Sequence, residues 1–182
     1  MMPLPTLDTD RLHMRPLTWG DVDDYHHVVH SDPDVMRYLR GGQPMPRNYT
    51  RNMIEYFIDH AQTYGFTFMA VTDRASGAFM GHCGLHQLSD VVEVGYALGK
   101  AYWGAGYATE AARAVMRWGF ETLPLEELIA VAYPENLASR RVMERLGMTY
   151  EGEVERYYSA RLSLYRILKT AFMSEPEQHE TS

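Results

Sequence analysis

One short segment constrains the fold of this chain more than any other. Residues 103–113 read WGAGYATEAAR and directly follow the strand-like run of residues 91–98. Gly104 and Gly106 allow the backbone to approach a ligand closely, and the helix that they precede begins with unpaired N–H groups and the positive end of its dipole. The segment therefore predicts a strand, a glycine turn and a helix that bind a phosphate through backbone donors alone.

Two common phosphate-binding motifs do not match this segment. A nucleoside triphosphate P-loop requires Lys and then Ser or Thr after its second glycine, but the next lysine after Gly106 is Lys169. A dinucleotide-binding fingerprint requires a third glycine, which GAGYAT lacks. A plain glycine turn before a helix stays open as the alternative.

Several motifs follow one another in a fixed order along the chain. They are residues 7–17 (LDTDRLHMRPL), 31–39 (SDPDVMRYL), 80–85 (MGHCGL), 93–121 (EVGYALGKAYWGAGYATEAARAVMRWGFE) and 133–153 (YPENLASRRVMERLGMTYEGE). In spelling and order they resemble the RimJ/RimL-type branch of the GNAT superfamily of N-acetyltransferases. The resemblance covers about residues 7–170, and motifs in register are a stronger signal than one glycine loop.

The resemblance implies a fold and an activity. The fold is α/β (α+β by some schemes), with a mixed, mostly antiparallel sheet of about six to seven strands, splayed centrally and flanked by about four helices. The activity is transfer of an acetyl group from acetyl-CoA, a co-substrate used without a metal, to a primary amine by direct nucleophilic attack. We expect residues 1–173 to form this single domain and residues 174–182, which have nothing apolar to bury, to be a disordered tail.

Composition limits the class of protein further. A chain of 182 residues with 46% hydrophobic content suits one compact domain. The net charge of −7 argues against a nucleic-acid partner, which would need clustered Lys and Arg. Cys83 has no second cysteine to pair with, and no apolar run approaches the ~20 residues of a membrane span. We therefore expect a cytoplasmic monomer or homodimer that does not bind membranes.

Hydrophobic periodicity and turn residues divide the chain into alternating elements. The predicted strands are residues 11–17, 65–72, 79–88, 91–98, 128–133, 148–157 and 162–172, of which 128–133 is expected to be parallel and buried. The predicted helices are residues 18–30, a short one from Pro33, 50–64, 106–121 and 137–146. The central helix carries small residues on one face and should pack closely on the sheet.

The donor site that the resemblance implies has three parts: a strand edge for pantetheine, the glycine turn for the pyrophosphate, and the start of a later helix. Its residues are Tyr96, Ala97, Leu98, Trp103, Gly104, Ala105, Gly106, Tyr107, Ala108, Thr109, Asn136 and Ser139. Pantetheine amides can pair with a strand edge without particular side chains. Trp103 departs from the Gln or Arg of the wider superfamily, and Ala105 replaces a frequently basic residue near the pyrophosphate.

Asn136 has two readings, and Ser139 has one. The resemblance implies that Asn136 bonds pantetheine and that Ser139 lies near the thioester sulfur, but Asn136 can equally cap a helix by accepting the Ser139 N–H. Many superfamily members place a tyrosine acid seven residues after this Asn. The chain has Met143 there, which cannot donate a proton. Ser139, water, or departure as a thiolate, whose parent thiol titrates near ~8.5, can replace that acid.

Glu93, at the start of a predicted strand, is the candidate general base. A solvated or ion-paired carboxylate is the alternative reading, and Glu135 and Glu153 are other candidate bases. Tyr157 and Tyr158 either line an acceptor pocket or pack at a sheet edge. A strand N–H near Tyr96 or Ala97 is expected to stabilise the oxyanion.

Other chemistry is less favoured by the pattern. His26 with His30, and His82 with His86, are spaced for metal binding but lack a third ligand, and Cys83 lies in an apolar strand where thiols are inert. The acidic balance and the absence of a strong base favour an α-amine, which titrates near ~8, on a basic protein partner over a lysine amine near ~10.4. A small-molecule amine, polyamine or antibiotic acceptor, a non-catalytic CoA-binding protein and a nucleotide-binding module stay open.

Overall fold

The computed structural model describes residues 4–39 and 41–174. Its strands are β1 (Leu7–Asp8), β2 (Leu12–Pro16), β3 (Phe68–Asp73), β4 (Phe79–Leu88), β5 (Val91–Leu98), β6 (Glu127–Ala132), β7 (Thr149–Val154) and β8 (Leu162–Leu168). They form one sheet in the order β1-β2-β3-β4-β5-β6-β8-β7. All neighbours are antiparallel except β5 and β6, which are parallel. The mixed, mostly antiparallel α/β architecture is confirmed.

Helices cover both faces of the sheet. They are α1 (Val22–Tyr25), α2 (Pro33–Met36), α3 (Arg47–Tyr64), α4 (Tyr107–Thr122), α5 (Leu137–Arg145) and α6 (Lys169–Ser174). On one face, Tyr25 of α1 and Phe57 of α3 pack on Ala97 of β5 and its neighbours. On the other, Val115 of α4 and Met143 of α5 share a larger core with the opposite side of the same strand.

Several expectations about the elements need correction, beginning with the helices, of which the described residues form six rather than about four. The sheet has eight strands among the described residues rather than six or seven, because Leu7–Asp8 adds a short edge strand. The expected helix over residues 18–30 is three consecutive turns of different pitch: a 3₁₀ turn (Trp19–Asp21), α1, and a π-helical turn (His26–His30). Asp21 explains the tight start, because its buried carboxylate accepts hydrogen bonds from both the N–H and the hydroxyl of Thr18.

The last predicted strand, residues 162–172, is too long. β8 ends at Leu168 and the chain continues as α6, which places the ring of Phe172 5.4 Å from that of Phe120 on α4. Packing against a distant helix has overridden the local strand pattern. The predicted strand of residues 148–157 is also too long, since β7 spans Thr149–Val154. Ser174 closes α6, and the rest of the expected disordered tail lies outside the described residues.

The sheet opens between β5 and β6. These parallel strands are in register at one pair, Glu93 with Ile129, whereas β6 pairs with β8 over its whole length. Beyond Glu93, β5 continues to Leu98 beside β4 alone. The predicted central splay is therefore present, and it leaves one edge of the second half of β5 without a strand partner.

No helix within the described residues is long and apolar enough to cross a bilayer.

Candidate active site

A glycine turn leads into the N-terminus of α4. Gly104 and Gly106 have φ angles of 77° and 81°, in the left-handed region that favours glycine. Gly106 caps the helix, and the first helical bond runs from Glu110 N–H to the Gly106 carbonyl. The amides of Tyr107, Ala108 and Thr109 therefore have no partner within α4 and lie at the positive end of its dipole. The anion-binding geometry expected from the sequence is present.

Arg11 of the β1–β2 turn ties this loop to the sheet. Its Nη1 donates to the Ala105 carbonyl at 2.9 Å, its Nε donates to Glu110 at 2.7 Å, and its guanidinium lies 4.3 Å from the ring centre of Tyr107. Glu110 also accepts hydrogen bonds from the Thr9 hydroxyl and from the Arg11 amide. These contacts join the loop to the β1–β2 turn and to the first turn of α4.

Two further groups of the loop face inward. The Trp103 indole donates through Nε1 to the Leu98 carbonyl at 2.8 Å, which joins the end of β5 to the start of the loop. The hydroxyl of Thr109 is buried and has no hydrogen-bond partner within the described residues.

The register of β5 shows which of its amides face the splay. Gly99 N–H bonds the Met80 carbonyl, and every second residue of an antiparallel strand points its amide the same way. Ala97 therefore turns its amide to β4, while Tyr96 and Leu98 turn theirs to the open edge. Of the two residues expected to supply the oxyanion donor, only Tyr96 has the required direction.

Tyr96 and Ser139 meet across the splay. The Tyr96 hydroxyl donates to the Ser139 carbonyl at 3.0 Å and lies 3.1 Å from its Oγ. Burial raises the pKa of Tyr96 well above its usual value, so the phenol stays protonated. Asn136 caps α5 by accepting the Ser139 N–H at 3.2 Å, so the capping reading is present in the structure. Met143, one turn further along, is buried in the core beneath α5.

Glu93 lies on the opposite face of β5. Val92 and Val94 pack towards α4, so alternation along the strand turns Glu93 towards α3. Its side chain is buried, the Tyr158 hydroxyl donates to its Oε1, and His86 Nδ1 lies 3.6 Å from the same oxygen. Tyr158 has φ 54°, a strained value for a side-chain-bearing residue. The reading of Glu93 as a solvated strand carboxylate is wrong.

The alternative bases are placed less favourably. Glu153 forms an ion pair with Arg161, and Glu135 is exposed in the turn before α5. Tyr157, which follows β7 rather than lying in it, is buried against Ile129 and Leu162, so its packing reading fits the structure.

The remaining candidates have structural partners. His26 contacts the Met45 carbonyl, His30 the Thr50 hydroxyl and His82 the Tyr25 hydroxyl. Within residues 4–39 and 41–174, no group of three His, Cys, Asp or Glu side chains converges on a common point. Burial raises the pKa of the Cys83 thiol far above its usual value, which makes it a poor nucleophile.

A family model describing a GNAT acetyltransferase domain matches residues 11–149 of this chain. The chain belongs to the GNAT acetyltransferase family. Its relatives include the uncharacterized protein YkkB of Bacillus subtilis, which is 33% identical over 155 residues covering 83% of this chain and 89% of YkkB. The fold of this chain also resembles the folds of solved acetyltransferase structures.

Two of those structures are informative. A GNAT-family acetyltransferase from Bacillus anthracis has a TM-score of 0.79 and 28% identity, covering 91% of this chain and 99% of its own. The structure of RimL, an acetyltransferase of ribosomal L7/L12 α-amines in complex with coenzyme A, has a TM-score of 0.78 and covers 90% and 98% of the two chains. At 17% identity this likeness shows the fold alone.

Sequence reasoning missed Arg11, Glu110 and the cluster behind Glu93. Arg11 and Glu110 are 99 residues apart, and no local pattern links them. His86 was readable in principle, because Leu88 and Val91 flank a two-residue turn whose hairpin register places His86 opposite Glu93.

Proposed function

We propose that this acetyltransferase moves the acetyl group of acetyl-CoA to a primary amine, with a protein α-amine as the preferred acceptor, in the manner of the RimJ/RimL branch. GNAT acetyltransferases use acetyl-CoA. The observation that carries the proposal is the open edge of β5, which leads from the splay to the glycine turn of α4. A long substrate with amides at one end and a diphosphate at the other matches this combination.

The donor would be held mainly by the backbone. Amides of residues 104–109 would bind the diphosphate, and the backbone of Tyr96 and the N–H of Leu98 can pair with the pantetheine amides, since the Leu98 carbonyl already accepts from Trp103. A side chain at Gly104 would meet no atom within 4 Å, so the loop borders open space there. Arg11 adds a cationic side chain at a loop where Ala105 has none.

Donor and acceptor would approach from opposite faces of the sheet. The glycine turn belongs to α4 on one face, whereas the carboxylate of Glu93 lies on the face covered by α3. In this arrangement Glu93 takes a proton from the incoming ammonium, and the neutral nitrogen attacks the thioester carbon. The Tyr96 N–H stabilises the oxyanion, and the C–S bond breaks as the carbonyl forms again. The proton that the attacking nitrogen then loses goes to the CoA thiolate through Ser139, or to solvent when CoA leaves as the thiolate.

The acceptor preference follows from the protonation of amines. At neutral pH about a tenth of an α-amine is already neutral, but less than a thousandth of a lysine amine is. A single buried carboxylate therefore removes a proton more readily from an N-terminal ammonium than from a lysine ammonium. The net charge of −7 favours a basic protein partner. A cytoplasmic location belongs to the same proposal, since the fold does not depend on a disulfide.

Release of free CoA thiol from acetyl-CoA tests the proposal. The acceptors would be a lysine-free peptide with a free N-terminus, the same peptide N-terminally blocked and carrying one lysine, a polyamine and an aminoglycoside. The proposal predicts the fastest release with the free N-terminus and a loss of at least about a hundredfold in Glu93→Gln. Preference for a small amine would favour the small-molecule alternative.

A non-catalytic CoA-binding role is the second candidate, and Met143 at the position of the usual tyrosine acid favours it. Calorimetric binding of CoA without thiol release from any acceptor would support that role instead. Thermal stabilisation by ATP or NAD but not by CoA would support a nucleotide-binding module.

A further inference from the structure

We propose that His86 is a positioning residue for Glu93: it presents its Nδ1–H to the carboxylate, while its Nε2 accepts a hydrogen bond from the hydroxyl of Tyr56. This inference rests on the proposed function, because it assigns a partner to the proposed base. It gives a catalytic task to a buried histidine that the donor site does not use.

His86 and Glu93 are direct partners across β4 and β5. The strand register pairs them, so both side chains emerge on the face covered by α3. They are 8% and 5% exposed. His86 Nδ1 lies 3.6 Å from Glu93 Oε1 and has no hydrogen-bond partner within the described residues. A small rotation of either side chain would close this gap, and catalytic hydrogen bonds commonly tighten when substrate binds.

The other ring nitrogen indicates which tautomer is present. His86 Nε2 lies 2.7 Å from the hydroxyl oxygen of Tyr56 on α3. If the proton were on Nε2, the lone pair of Nδ1 would face the carboxylate oxygen, which is repulsive in a buried site. With the proton on Nδ1, Nε2 accepts from the Tyr56 hydroxyl and Nδ1–H faces Oε1. The second arrangement satisfies both nitrogens.

A second histidine holds the ring of His86 in place. The rings of His60 and His86 stack with centroids 4.6 Å apart and planes 22° from parallel. His60 accepts the Gln87 N–H at its Nε2, and its Nδ1 lies 2.8 Å from the Phe66 carbonyl, which fixes it as the neutral Nδ1–H form. Burial lowers the pKa of His60. His60 is thus neutral, and both of its ring nitrogens are occupied. It packs against the His86 ring and does not donate a proton to Glu93.

Few other titratable groups surround His86. Tyr56 and His60 face it from α3, Glu93 faces it from β5, and Phe68 of β3 adds an apolar ring 5.5 Å away. His82 shares the same face of β4, and burial lowers its pKa to about 3, so it stays neutral. Glu93 is therefore the one carboxylate among these groups.

His86 and Tyr158 differ as partners of Glu93. Tyr158 is 48% exposed and lies in a turn with two consecutive positive φ angles, at Tyr158 and Ser159. His86 is buried in the central sheet. When an acceptor enters from this face, the exposed tyrosine is the partner that can move, and the buried histidine is the one that keeps the carboxylate oriented.

Two isosteric substitutions separate this role from simple packing. The amide nitrogen of Asn occupies the place of Nδ1, so His86→Asn keeps the donor to Glu93. The amide of Gln reaches the place of Nε2, so His86→Gln keeps the contact with Tyr56 and loses the donor. The experiment measures the pH dependence of kcat/KM by thiol release, with Glu93→Gln assayed in parallel.

We expect His86→Asn to stay within about threefold of the wild type, with an unchanged pH profile. In His86→Gln the acid limb should move up by about one pH unit, as expected for one lost hydrogen bond to a charged group. Its KM for acetyl-CoA should not change. Equal profiles for the two variants, or a changed KM alone, would overturn the proposal.

Nitrogen chemical shifts of the histidine rings provide a readout that does not need activity or a folded variant. In the wild type the His86 proton should lie on Nδ1. A wild-type proton on Nε2 would overturn the proposal. Full activity of Glu93→Gln would remove the proposed base itself, whereas an inactive Glu93→Gln with a wild-type profile in His86→Gln would overturn the role of His86 alone.

Discussion

The guanidinium of Arg11 donates to the carbonyl of Ala105 across 94 residues of chain. The resemblance to other GNAT proteins suggested that Ala105 removes a basic group from the phosphate loop. In the structure the guanidinium of Arg11, in the β1–β2 turn, places a positive charge next to the same loop. Glu110 neutralises part of that charge, because it accepts a hydrogen bond from Arg11 Nε at 2.7 Å.

Arg11→Ala should raise the KM for acetyl-CoA about tenfold and change kcat little. The loop would lose the contact that fixes the Ala105 carbonyl and its nearby positive charge, both of which act on binding rather than on chemistry. Steady-state kinetics with acetyl-CoA as the varied substrate measures this. Arg37→Ala, at an exposed ion pair with Asp34, is the control and should leave KM unchanged. A fall in kcat alone would contradict the assignment.

Gly104→Ala and Gly77→Ala form a matched pair. Both glycines have positive φ, 77° and 76°, and a side chain at either would meet nothing within 4 Å. Each substitution should therefore cost about 1 kcal/mol of unfolding free energy from backbone strain alone. Only Gly104→Ala should weaken acetyl-CoA binding, since Gly77 lies in the β3–β4 turn. Urea unfolding and calorimetry test the two parts, and equal binding by both variants would argue against the loop.

Ser139→Ala should lower kcat by about tenfold with little change in either KM. The hydroxyl near Tyr96 is the candidate proton donor to the thiolate, and general acid catalysis is modest where the leaving group is already stable. Tyr96→Phe removes the hydroxyl that orients Ser139, so it should have a smaller effect in the same direction. Ser31→Ala, at an exposed serine, serves as control. An unchanged kcat in Ser139→Ala would exclude Ser139 as the proton donor and leave water, or departure as the thiolate.

Acid should destabilise the fold through its buried histidines. Burial lowers the pKa of His30 to about 4 and that of His82 to about 3, against about 6.5 in the unfolded chain. Below pH ~6.5 these histidines bind protons in the unfolded state but not in the folded state. The free energy of unfolding that they contribute at neutral pH is therefore lost as the pH falls towards 4. Each histidine contributes at most about 1.4 kcal/mol per pH unit.

Urea unfolding of His82→Asn at several pH values between 7 and 4.5 tests this linkage. The slope of unfolding free energy against pH should fall by up to that amount, even if the variant is less stable at every pH. His27→Asn, at an exposed histidine, should keep the wild-type slope. A wild-type slope in His82→Asn would mean that this residue does not resist protonation in the folded state.

Local signals predicted those elements whose boundaries are local. Residues 79–88 and 91–98 have the bounds of β4 and β5, because an apolar pattern and a short turn define both strands. The predicted bounds of α4, residues 106–121, differ from the observed ones by a single residue at each end, because its glycines mark where the helix begins. The end of β8 was wrong because the contact of Phe172 with Phe120 depends on tertiary packing.

The features of the site also divide into those set by neighbouring residues and those set by tertiary contacts. The glycine turn and the cap at Asn136 follow from residues close in sequence, and both are present. The direction of the Tyr96 amide needs the pairing of β4 with β5, and the Arg11 clamp needs the whole sheet between its two ends. Neither could be read from spacing.

The most direct test of the account is a titration with CoA followed by backbone amide resonances. CoA should shift the amides of residues 104–109 together with those of Tyr96 and Leu98, and should leave the β4-facing amide of Ala97 much less affected. Tight binding with no shift in residues 104–109, or no binding at millimolar CoA, would contradict it.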